Sequence, residues 1–141
     1  MGIEDKVAFV REALQRLEEL PQHSLEQSLA DDRNLASALH WLQTAIQALV
    51  DIGLLIVSSR GLPTPRSSGE VLERLESADL LPPGSALRFR PIVGFRNRVV
   101  HLYDRIDPEI VYRVVRRDRR DLFALLNALL AAASATEATD G

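Results

Sequence analysis

The chain has 141 residues, no cysteine, 46% hydrophobic and 26% charged residues, and a formal net charge of −3. That is the size and make-up of one ordinary globular domain, and it excludes disulfides and thiolate metal sites. No charged-then-apolar leader opens the sequence, and Asp51 and Arg60 interrupt the longest apolar stretches, so a cytoplasmic chain without a signal peptide or membrane span is expected.

Helix signals run through the chain. Ile3, Val7, Val10, Leu14 and Leu17 recur at steps of four and three, which makes one helical stripe, and Pro21 ends it. Leu25 and Leu29 belong to a connector or an extra turn. Asp31 or Asp32 caps a long helix with Leu35, Leu39, Leu42, Ile46, Leu49 and Ile56 on one face, stopped near Arg60 by Gly61 and Pro63. Residues 61–69 read as a loop, after which Ser67 or Ser68 caps a short helix through Val71, Leu72 and Leu75. Pro82-Pro83-Gly84 breaks the chain, and Ser85 opens a helix that reaches about Tyr103, with a kink or a helix start expected near Pro91. Asp107-Pro108-Glu109 begins the last helix, from Val111 to Leu130, and the AAASATEATDG end is expected to fray. The expected architecture is an all-α, four- to five-helix up-and-down bundle over residues 1–133, with a flexible tail at 134–141. Its apolar stripes exceed what one small core hides, which points to a symmetric dimer.

The charge is uneven. Residues 88–120 carry ten of the 17 basic residues and four acids, which is +6 locally against −9 for the remainder. Such a stretch suits a polyanion such as RNA, or simply solvates a helix face. Within it stands Arg96-Asn97-Arg98-Val99-Val100-His101-Leu102-Tyr103. Arginine is a permanent cation whose planar fork matches phosphate oxygens, and histidine exchanges protons near neutral pH. RNA cleavage needs a base for the ribose 2′-hydroxyl and a cation for the reacting phosphate, and the RNA supplies its own nucleophile. Asn97 and His101 share a helix face, and so do Arg96 and Tyr103, whereas Arg96 and His101 are about 140° apart on an ideal helix. They converge if the arginine wraps round, if the helix distorts, or if a second subunit completes the cleft. The opposing reading is an arginine paired with an acid and a buried, satisfied imidazole.

Residues 96–103 resemble the R-x4-H-x-Y signature of HepT toxins in the HEPN superfamily. The long LHWLQTAIQALVDIG helix, the proline-containing loop, the VLERL helix and the later ID-PE-IVY run are similar in order and spacing, so the likeness covers roughly residues 5–130. The resemblance implies a homodimeric HEPN bundle with the motif at a cleft between subunits, and metal-independent RNA cleavage without a cofactor. Carried over by position, Arg96 would hold the scissile phosphate, His101 would act as base or acid, and Asn97 would orient the phosphate or the imidazole. Tyr103 matches the tyrosine to which a nucleotidyltransferase antitoxin of the MntA kind transfers AMP, silencing the toxin in a type VII-like toxin–antitoxin system. Leu102 departs from the glycine usual in the family. Arg98, Arg105, Arg113 and Arg116 are further candidates for contact with RNA, whether tRNA or mRNA, and Arg117, Arg119 and Arg120 could extend that track. The competing reading is a non-catalytic nucleotide- or substrate-binding companion of a minimal nucleotidyltransferase. His23 and His40 fit no motif, and no histidine or acid cluster suggests a metal.

Overall fold

The computed structural model describes residues 2–19, 32–102 and 108–140, and in them the chain forms five helices. These are α1 (Ile3–Glu19), α2 (Asp32–Ser59), α3 (Ser68–Ser77), α4 (Ser85–Leu102) and α5 (Pro108–Asp140). Pro21, His23, Leu25, Leu29, Asp31, Tyr103, Arg105 and Asp107 lie outside the described residues.

α2 is the axis of the bundle, because α1, α3, α4 and α5 all pack against it. The apolar spacing of α1 buries Val7, Val10, Leu14 and Leu17, and Ile3 packs at the edge of the same core. From α2 come Leu39, Leu42, Ile46, Leu49, Ile52 and Ile56, and from α5 come Leu122, Leu125, Leu126 and Leu129. By length and composition Ala36–Ser59 passes for a membrane span, with a mean hydropathy of 1.5, so Asp51 does not break it, and Arg60 lies just past its end. Here it is the core helix, and Asp51 bonds Lys6 of α1 and Gln47.

Each described turn has a local cause. α2 ends at Gly61, whose φ of +66° lets the Leu62 N–H reach the Val57 carbonyl at 3.0 Å and close the helix end. Ser67, in extended conformation, caps α3 by accepting from the Glu70 N–H. α3 stops the same way as α2, but with Asp79 in the left-handed position (φ +61°) and the Leu80 N–H on the Leu75 carbonyl at 2.9 Å. α3 lies close to α2 because position 53 is glycine: a Cβ there would stand 2.6 Å from Val71 Cγ1.

Ser85 opens α4, as its position predicts, six residues before Pro91, and Glu76 of α3 accepts from the Ala86 N–H at 2.8 Å. Pro91 therefore lies inside the helix and does not start it. The carbonyl left without its helical donor is that of Leu87, a residue 76% exposed and open to water. At the other end, α5 continues to Asp140 through the alanine-rich stretch, and Ala132 within that stretch is buried in the core.

Candidate active site

Arg96, Asn97, Arg98 and His101 all fall on the second half of α4. The first half defines its two faces. Phe89, Ile92, Val93 and Phe95 are buried, whereas Leu87, Arg90, Pro91 and Gly94 are exposed. Register extends both stripes into the motif. Arg96 follows Phe89 by seven residues and Ile92 by four, in line with the core stripe. Asn97 and His101 follow Gly94 by three and seven, in line with the exposed stripe. Arg98, four after Gly94 and seven after Pro91, belongs to that outer face as well. A Cβ on Gly94 would meet no atom within 4 Å, so this flank of α4 is open in the single chain. By register alone, Asn97 and His101 are four positions apart on α4, and Arg96 is five positions from His101. Leu102 is helical, as its propensity favours, while Tyr103 and Arg105 lie outside the described residues.

The basic stretch is partly neutralised. Arg88 bonds Asp121 of α5 at 3.2 Å, Arg90 meets Glu73 of α3 at 3.7 Å, and Arg113 bonds Glu109 one turn earlier at 2.8 Å. Arg88 and Arg90 therefore tie α4 to its neighbours, and the RNA candidate Arg113 is engaged within its own helix. Arg116 is exposed on α5. No group of three or more histidine and acidic residues is arranged for a metal ion among the described residues. His40 is exposed, with its ring edge-on to Trp41 at 4.7 Å, and Arg16 lies over the Trp41 ring at 5.8 Å, so this pair is a packing element.

One feature escaped the sequence reading. A groove of about 400 Å³ between α1 and α5 is lined by Arg11, Leu14, Gln15, Glu18, Arg119, Arg120 and Phe123. Phe123 is 55% exposed there. The available signal was an aromatic residue three positions after Arg120 and seven after Arg116, in helical phase with the arginines.

Among the described residues, five helices pack around a central α2, an arrangement shared with solved toxin structures. A crystal structure of a toxin–antitoxin with AMP-PNP shares the fold at a TM-score of 0.80 and 24% identity, covering 92% of this chain and 99% of that one. The tri-AMPylated Shewanella oneidensis HEPN toxin, in complex with MNT antitoxin, superposes at a TM-score of 0.81 with 25% identity, over 93% of this chain and 99% of that one. In sequence, the tRNA nuclease HepT of Aphanizomenon flos-aquae (strain 2012/KM1/D3) is 29% identical over 113 residues, 80% of this chain and 77% of the relative. The HepT-like family, described as ribonuclease HepT-like, matches residues 10–129. The chain belongs to the HepT-like ribonuclease family.

Proposed function

We propose that this chain is the ribonuclease toxin of a two-component toxin–antitoxin system, cleaving RNA without a metal ion at a cleft formed by two copies of α4. The observation that carries the reading is the register of α4, where the R-x4-H segment continues a helix whose outer flank is open at Gly94. His101 removes the proton from a ribose 2′-hydroxyl, whose oxygen attacks the adjacent phosphorus. Arg96 stabilises the charge on the phosphate oxygens, the bond to the 5′ oxygen breaks, and that oxygen takes up a proton. The products are a 2′,3′-cyclic phosphate and a 5′-hydroxyl. Asn97, on the His101 face, orients the phosphate or the imidazole. Arg96 and His101 start about 140° apart on one helix, so a second copy completes the cleft, the long arginine side chain wrapping from its own stripe towards the histidine of the partner copy.

Relatives that are toxin–antitoxin complexes, one of them AMPylated, support a reading of how the chain is controlled. A cognate nucleotidyltransferase antitoxin of the MntA kind transfers AMP to Tyr103, adding bulk and negative charge where a phosphate must bind. The protein acts in the cytoplasm, on tRNA or another RNA. Expression of the chain alone tests the reading. Growth arrest and RNA loss are expected, both relieved by His101→Ala and by co-expression of the antitoxin. A protein that leaves cellular RNA intact would instead be a binding companion of the nucleotidyltransferase.

A further inference from the structure

The groove between α1 and α5 is separate from the motif on α4. Asp121 reaches α4 through its bond to Arg88. Phe123, two residues on, is turned about 200° around the α5 axis, and it lines the α1 side. The proposed cleavage reaction leaves this groove unused.

Its chemistry is specific in kind. Phe123 is 55% exposed, which leaves its ring accessible to a ligand in the groove. Arg11 of α1 and Arg120 of α5 are exposed on the two walls, and Arg119 is half-buried beside them. Gln15, whose Nε2 donates to Glu19 at 3.4 Å, contributes its amide, and Leu14 forms apolar floor. A ring, flanking guanidinium groups and an amide match a nucleotide: a base stacks on the ring, its edge meets the amide, and phosphates run past the arginines. Glu18 also lines the groove, and its carboxylate repels phosphate, so the backbone of a bound strand follows the α5 wall. Along that wall Arg113, Arg116, Arg120 and Phe123 succeed one another at steps of three and four, one flank of α5 about 15 Å long. The flank begins close to the N-terminus of α5, which follows α4 after a short connection.

We propose that the α1–α5 groove is a second contact for single-stranded RNA, in which Phe123 stacks on a base and Arg120 and Arg11 hold the flanking phosphates. It extends the substrate beyond the cleavage site, and it rests on the ribonuclease reading above. A groove of about 400 Å³ is within the size of small-ligand sites and holds one nucleotide unit of such a strand.

The test measures binding apart from cleavage. A fluorescein-labelled 2′-O-methyl RNA 12-mer of mixed sequence lacks the 2′-hydroxyl nucleophile, so its anisotropy reports affinity for the intact dimeric protein. Phe123→Ala should weaken binding roughly fivefold or more, from the usual worth of base–aromatic stacking, and Phe123→Trp should restore it. Arg120→Gln should lower the salt dependence of log affinity by about 0.7, the share of one phosphate contact on a single strand. Both positions are exposed, so a thermal melt like that of the wild type is expected for each variant. Wild-type affinity in Phe123→Ala and Arg120→Gln, from a protein that still cleaves RNA, overturns the groove and leaves the nuclease standing. Variants that keep RNA affinity but lose the antitoxin or the dimer also overturn it, and make the groove a protein contact. A wild-type protein that neither binds nor cleaves RNA removes both readings.

Discussion

Arg96 and His101 are five residues apart on one unbroken helix, which sets them about 140° apart around its axis. Arg96 continues the stripe of Phe89 and Ile92, and His101 that of Gly94. A site shared between subunits makes a distinctive prediction. Arg96→Ala and His101→Ala should each be inactive alone, yet a mixture refolded together should regain activity. In the mixed dimer one cleft has lost both groups and the other keeps both. Random pairing then restores about a quarter of the wild-type sites. A cleft built within one chain restores none.

The outer flank of α4 should be the contact between copies. Light scattering should return twice the chain mass of 15.7 kDa at micromolar concentration. Gly94→Arg adds a long cation to that flank without meeting any neighbour inside the chain. It should shift the protein towards monomer and reduce cleavage, while the monomer's own stability holds or rises, since glycine inside a helix costs about 1 kcal/mol relative to better formers. A dimer that persists unchanged would move the interface elsewhere.

The α2–α3 contact should be intolerant of a single methyl group. Gly53→Ala puts a Cβ 2.6 Å from Val71 Cγ1, so the helices must part or Val71 must shift. A loss of about 1–3 kcal/mol is expected in urea unfolding, the usual cost of overpacking. Ser67→Ala, which removes the cap of α3, should cost about 1 kcal/mol in the same assay. An unchanged midpoint for Gly53→Ala would mean that α3 docks more loosely.

Modification is read by mass. Co-expression with the nucleotidyltransferase should add AMP to the peptide containing Tyr103, and Tyr103→Phe should abolish the adduct. If the antitoxin neutralises the protein and Tyr103 remains unmodified, inhibition works by occlusion alone.

Much of the bundle was legible because its signals are local. The stripe from Val7 to Leu17, the stop at Gly61 and the cap at Ser67 each depend on residues within a turn or two. What depends on distant partners was not. Ser85 signals the start of α4, but nothing near it announces that Glu76 of another helix will satisfy the Ala86 N–H. Gly53 reads as a weak helix residue until Val71 is seen above it. Within α2, Asp51 looks like an interruption until Lys6 and Gln47 are found beside it. In the site, the helical placement of Arg96, Asn97 and His101 was legible from the sequence. The pairing of Arg88 and Arg90 with acids was not, because those acids come from other helices.

The most direct test of the central claim is cleavage of RNA by the purified chain in excess EDTA, comparing wild type with His101→Ala and Arg96→Ala. The account predicts that the wild-type rate is unchanged by EDTA, that His101→Ala loses on the order of 10²-fold or more, and that Arg96→Ala is similarly impaired. Cleavage abolished by EDTA, or a His101→Ala protein as fast as wild type, would contradict it.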